Sequence, residues 1–241
     1  MGQAVRAAAA EFPDVRLAVC VARSPNASAS PEGCAWMTPD QLVSGAGDSL
    51  PAHAVVIDVS LAAGTARLLD WLDRSPRALV SAPTGLGPAE EKRVAALAKR
   101  APVLRAMNLS LGNAVARAML GSVPEEAKTL FEIDIVEHHH AAKQDAPSGT
   151  ALLWAGLLAP GDAVADPKKP REPGTIRFHS IRSGTAVGTH RALFAGAGET
   201  LELVHTVSDR AVFARGAIRA ARFLSGKPPG LYTLEQTLEP S

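Results

Sequence analysis

Residues 53–110, HAVVIDVSLAAGTARLLDWLDRSPRALVSAPTGLGPAEEKRVAALAKRAPVLRAMNLS, decide the fold class. His53 to Val59 is an apolar, β-branched run that predicts a strand, and Leu61 to Asp73 repeats its apolar residues at helical spacing. Ala78 to Ser81 predicts a second strand. Pro88 to Arg100 predicts a helix whose first turn holds a proline, where the missing N–H has no partner to lose, and Pro102 to Ala106 predicts a third strand. Strands alternating with helices of this length predict an α/β, doubly wound parallel sheet. Ligands of such sheets sit at the carboxyl ends of the strands, which here are SAPTG and AMNLS.

Upstream, residues 3 to 11 predict an Ala-rich helix and Val15 to Val21 a strand after the Pro13-Asp14 turn. Residues 24 to 51, rich in Ser, Pro, Gly and Asn, predict an irregular connection with a short helix near Pro39 to Val43. Downstream the period changes. After a helix over Leu111 to Leu120, FEIDIV (Phe131 to Val136) alternates as a half-buried strand does. Similar segments follow at Thr175 to Ile181, Val187 to Phe194 and Thr200 to Val207, which predicts a second α+β domain on a mixed or antiparallel sheet. Ala211 to Leu224 is a helix expected to return to the first domain. The organisation expected is therefore residues 1–109 plus 211–241 as one domain, dinucleotide-binding, and 110–210 as a second, for substrate and oligomerisation.

Bulk composition limits the function. With 4% aromatic residues and a formal charge of +1, the chain has neither the stacking surface nor the basic excess of a nucleic-acid binder, and no run approaches a membrane span. Cys20 and Cys34 lack CxxC spacing, which argues against a disulfide scaffold or zinc ribbon and for a cytoplasmic protein.

The chemistry concentrates in Glu137 to Thr150, EHHHAAKQDAPSGT, between the strand expected to end at Val136 and a helix starting near Gly149. Ser148 is placed as the N-cap of that helix, and a helix start with Gly149 and Thr150 in its first turn suits an anion such as a carboxylate. Lys143 adds positive charge, and imidazoles add groups that titrate near neutral pH, so the loop suits a carboxylate substrate that needs a proton. Two other chemistries compete. His138 and His140 would share one face of a strand and make a metal pair, but no third ligand is evident and Lys143 is a nearby cation, so no metal centre is expected. Ser148 lacks the GxSxG elbow of a nucleophile.

At this segment the sequence resembles the 4-hydroxy-tetrahydrodipicolinate reductases, whose signature runs close to E-x-H-H-x-x-K-x-D-x-P-S-G-T-A. It is carried here by Glu137, His139, His140, Lys143, Asp145, Pro147, Ser148, Gly149, Thr150 and Ala151. The likeness extends to DVSLAAGT (58–65), SAPTGL (81–86), AMNLSLG (106–112) and VGTHRALFAGAGETLELVHTVSDRAVFARGA (187–217). It implies a homotetrameric enzyme of lysine and diaminopimelate biosynthesis that reduces a cyclic dicarboxylate with NADPH or NADH. His139 would be the acid–base residue and Lys143 its partner, with His140, Ser148, Gly149, Thr150 and Arg210 on substrate. Cofactor would meet Gly2, Arg23, Ala82, Pro83, Thr84, Ala106, Met107, Asn108 and Leu109. An imidazole with a pKa near 6.5 would supply the proton at neutral pH.

The resemblance has gaps. In the family a first strand leads into a glycine loop, G-x-x-G-R-M-G, whose last two residues are matched here by Met1 and Gly2. The doubly wound sheet is therefore expected to lack its first strand and the earlier glycines, and residues 1–241 are expected to bind nucleotide weakly. Ala22 stands where an acidic residue often contacts the ribose, and Arg23 would suit a 2′-phosphate. Pro83 removes one backbone donor from its loop. A catalytically weak paralogue, or a protein that only binds dicarboxylates, is the alternative these gaps imply.

Overall fold

The computed structural model describes residues 1–24, 34–159 and 175–239; residues 25–33 of the expected irregular connection lie outside them. The chain divides into two compact units, Met1–Leu109 with Ala211–Ser241, and Ser110–Arg210.

In the first unit a four-stranded parallel sheet has the order β10-β5-β4-β3, from β3 (Val55–Asp58), β4 (Ala78–Ser81), β5 (Pro102–Arg105) and β10 (Gly230–Tyr232). Helices α3 (Ala62–Leu72) and α4 (Pro88–Leu97) supply Leu69, Trp71, Leu72, Val94 and Leu97, which pack with Leu79 and Val103 into one core. Burying each such side chain stabilises by about 1.5–3 kcal/mol. Helix α8 (Ala211–Leu224) lies against β4, β3 and α1 (Gly2–Ala9). Its approach depends on Gly216, where a Cβ would stand 1.8 Å from the Leu109 carbonyl oxygen.

A separate pair, β1 (Val19–Val21) and β2 (Ala35–Met37), forms a two-stranded parallel sheet. The expected strand over 15–21 thus shrinks to three residues, because only these fall in register with β2, and apolar character alone does not make a strand. After β2, Thr38 and Gln41 form a reciprocal capping box that starts α2 (Pro39–Val43). A cavity of about 1970 Å³ is lined by β1, by β3 and by residues of α1, α3 and α8.

The second unit holds a four-stranded mixed sheet of order β7-β6-β8-β9: β6 (Glu132–His139), β7 (Ile176–Arg182), β8 (Gly188–Gly196) and β9 (Glu199–Val207). β6 runs parallel to β7 and antiparallel to β8. It is longer than FEIDIV predicted. Both neighbours pair with it beyond Val136, so Glu137 to His139 belong to the strand rather than to a loop. Helix α7 (Gly149–Leu158) buries Ala151, Trp154 and Leu158 on Ile133, Ile135, Ile176, Ala192 and Phe194. The Trp154 indole N–H donates to Asn113 Oδ1 at 3.0 Å, tying α7 to α5 (Leu111–Gly121). A short α6 (Glu125–Leu130) was not anticipated. Among the described residues no helix is long and apolar enough to cross a membrane.

Candidate active site

Alternation along β6 decides which groups meet. Ile135, Glu137 and His139 face inward, while Val136 and His138 face the other way. The metal pair suggested by His138 and His140 is therefore not assembled: His140 follows the strand, and His138 Nε2 engages Ser183 through its carbonyl oxygen and hydroxyl. Glu137 is fully buried, and its partners account for that. One oxygen accepts from Arg182 at 2.6 Å and from the Ser148 backbone N–H at 3.3 Å, and the other meets His139 Nδ1. Burial alone would raise the Glu137 carboxyl, but the hydrogen bond from Arg182, with Ser180 and His139, holds it below its ordinary value.

His139 is the inward residue at the carboxyl end of β6. Its ring meets that of His190 edge to face, centroids 5.1 Å apart. The imidazole is pushed below its ordinary pKa, chiefly by burial, with Glu137 opposing that shift and Lys143 and Arg182 adding to it. This corrects the expectation of a value near 6.5: removal from water outweighs the carboxylate.

Ser148 caps α7 as expected, its hydroxyl accepting the Ala151 N–H at 3.2 Å. The same oxygen lies 3.0 Å from His190 Nε2, and Ser148 is 2% exposed. Its side chain is thus built into the structure, and the open position is the next one: a Cβ at Gly149 would meet nothing within 4 Å. Thr150 follows in the first turn, half-buried, and His140 is half-buried at the strand end. Lys143 Nζ is paired with both Asp145 oxygens at 2.7 and 2.8 Å, and Arg182 also donates to the Asp145 carbonyl at 2.5 Å. Arg210 is exposed, at the end of the second unit.

Glu137, His139 and His190 bring donor atoms within 4.8 Å of one another, a grouping that would interest a metal ion. The set fits a hydrogen-bonded network better, since Arg182 already neutralises the carboxylate and Lys143 stands near His139.

The cofactor candidates fall into two groups. Ala82 to Thr84 and Ala106 to Leu109 follow β4 and β5, whose ends are in register at Ser81 and Arg105. Met107 is 46% exposed, whereas Leu109 is buried under α8. Gly2 and Arg23 line the cavity of the first unit. Gly2 opens α1, whose first turn has no acidic residue, and a Cβ there would meet nothing, which fits an anion such as a pyrophosphate.

Residues 1–109 match the family described as dihydrodipicolinate reductase, N-terminus, and residues 112–238 the one described as dihydrodipicolinate reductase, C-terminus. The chain belongs to the dihydrodipicolinate reductase family. It is 37% identical over 240 residues to the 4-hydroxy-tetrahydrodipicolinate reductase of Stenotrophomonas maltophilia, covering 99% of this chain and 93% of that one. It is 40% identical over 195 residues to that of a Nitratiruptor species, 76% of each chain. Among solved structures it is similar to a dipicolinate-bound dihydrodipicolinate reductase from Paenisporosarcina sp. TG-14, with TM-score 0.75 and 21% identity over 98% of this chain and 94% of that one. A myo-inositol dehydrogenase from Corynebacterium glutamicum shares the fold at TM-score 0.59 and 15% identity, over 98% and 89%. Membership of the reductase family makes this an oxidoreductase of lysine and diaminopimelate biosynthesis with a nicotinamide cofactor.

Sequence reasoning missed Arg182 and His190, which reach Glu137 and Ser148 from 45 and 42 residues away. Strand register brings them there, and no local pattern announces it. Glu137 had a signal, since it lies two residues before His139 and shares its face if the strand continues.

Proposed function

We propose that the chain reduces 4-hydroxy-tetrahydrodipicolinate to tetrahydrodipicolinate, holding the substrate's carboxylates at the start of α7 and protonating it from His139. The observation that carries this reading is the buried Glu137, which joins the two parts: it contacts His139 and accepts the Ser148 N–H at the cap of α7. A dipicolinate-bound relative supports a planar cyclic dicarboxylate as the class of ligand.

Gly149 and Thr150 lie where the helix dipole favours negative charge, and the empty space at Gly149 lets a carboxylate come close. Lys143 turns from Asp145 toward the substrate, Arg210 adds positive charge, and His140 offers a hydrogen-bonding imidazole. Ser148 acts by shaping the helix start. The dinucleotide supplies hydride when bound. Ala82, Pro83, Thr84 and Ala106 to Leu109 would hold it at the strand ends of the first unit, with Gly2 near its phosphates and Arg23 favouring NADPH over NADH. The first unit is then the dinucleotide-binding domain and the second the substrate domain.

The same reading makes the protein a cytoplasmic homotetramer assembled through the second unit's sheet. The sheet's outward residues Ile181 and Val204 are 46% and 48% exposed, which suits burial against another copy.

The test combines two measurements. Calorimetry should give dissociation constants for NADPH, NADH and dipicolinate, and a turnover assay should follow cofactor oxidation with freshly condensed pyruvate and aspartate semialdehyde. Stoichiometric oxidation supports the reading. Absence of oxidation by protein that binds both ligands would sink it.

A further inference from the structure

His139 can deliver a proton from either ring nitrogen, and its surroundings choose between them. Glu137 is a carboxylate held ionised by Arg182, so the oxygen facing His139 Nδ1 can only accept. The proton of a neutral His139 therefore sits on Nδ1, donated to Glu137, and Nε2 carries the lone pair. His190 does not compete for that lone pair: its Nε2 is engaged with Ser148 at 3.0 Å, and its buried Nδ1 makes no hydrogen bond. The other edge of the His139 ring faces β8 at Gly188. A Cβ there would stand 3.0 Å from Nε2 and 3.2 Å from Cδ2, so only glycine leaves that edge uncrowded.

We infer that Glu137 is a positioning residue: it fixes His139 in the Nδ1–H tautomer, so that the transferable proton of the charged ring is the one on Nε2, at the edge Gly188 keeps clear. In the step itself the Nε2–H bond breaks, its electron pair stays on the imidazole, and the proton goes to the substrate atom next to the one that receives hydride. Afterwards the ring is neutral with its proton on Nδ1. Arg182 serves the same end at one remove, by keeping Glu137 ionised. The proton-transfer part of the inference rests on the function proposed above; the tautomer does not.

The experiment is a two-bond nitrogen–proton correlation spectrum of the ¹⁵N-histidine-labelled full chain at pH 8, with the His139 signals assigned by their loss in His139→Asn. The wild type should show Nδ1 protonated and Nε2 bare. Glu137→Gln can present an amide N–H to Nδ1 and should move the proton to Nε2, with kcat falling by about 10²-fold or more and the dipicolinate Kd staying within about threefold. A wild-type spectrum with the proton on Nε2, or a Glu137→Gln protein with an unchanged tautomer, overturns the inference. If Glu137→Gln does not fold, the wild-type spectrum still decides. Wild-type protein with the Nδ1–H tautomer that binds both ligands but oxidises no cofactor would overturn the proposed function and leave the positioning intact.

Discussion

His190 on β8 stands directly opposite His205 on β9, and each imidazole holds the serine that caps a different helix. His190 Nε2 is 3.0 Å from Ser148 Oγ at α7, and His205 Nε2 is 3.1 Å from Ser110 Oγ at α5. Each serine also accepts a backbone N–H three residues on, from Ala151 and Asn113. Two helix starts are thus fastened to neighbouring strands by the same device, and it works with neutral imidazoles.

Acid should therefore loosen the second unit before carboxylate protonation does. Burial, with help from His139, pushes His190 down to about 3, and burial lowers His205 and His139 as well. A histidine whose folded pKa lies below its unfolded one contributes stability that is complete above about pH 6.5 and is lost as pH falls toward the folded value. His190, whose window is wide, should cost up to about 1.4 kcal/mol per pH unit within it. Hydrogen exchange of β8 and β9 amides from pH 7.5 to 4.5 measures it, and a flat protection profile would refute it.

Ser148→Ala removes a cap and strands His190, so the second unit should lose about 1–3 kcal/mol. Dipicolinate affinity should fall with it, because the start of α7 loses its anchor. Thermal unfolding and calorimetry on one preparation report both effects.

Replacing His139 by Ala should lower kcat by about 10²–10⁴ with a smaller change in KM. Thr150→Val should mainly raise KM. If His139→Ala kept its kcat, the acid would have to be sought at His140.

Gly216→Ala places a methyl group against the Leu109 carbonyl, and the first unit should lose about 3 kcal/mol. Gly156→Ala, in α7 with nothing near its Cβ position, should instead gain about 0.5–1 kcal/mol. Thermal midpoints moving in opposite directions would bear this out.

Cys20 should alkylate slowly although it is not fully buried. Burial, and then the Cys34 sulfur at 3.4 Å, raise its thiol from 9.0 to about 11, so its thiolate is about 10² scarcer at neutral pH. Mass-spectrometric timing of iodoacetamide labelling at pH 7.5 against a free thiol tests this.

Much of the architecture was legible because it rests on local signals. The periodicity of Leu61 to Asp73, the proline at Pro88 and the serine at Ser148 each act within one turn of where they stand. The site was half legible for the same reason. EHHH breaks the alternation that FEIDIV begins, and only pairing with β7 and β8 shows that the strand continues and that Glu137 and His139 share its inner face. Cys20 and Cys34, without a motif, meet because β1 and β2 pair.

The cavity of the first unit has a consequence for handling the protein. β3 ends its sheet, β1 has β2 as its only hydrogen-bonded neighbour among the described strands, and both line that cavity, where Val21 is 45% exposed. Backbone amides and carbonyls of this kind are adhesive: they welcome any extended peptide that can match their spacing. As concentration rises, an extended segment of one molecule becomes a candidate guest for another's open edge. Light scattering after storage at high concentration should then show slow oligomer growth, and short β-breaking additions beside Val21 should slow it.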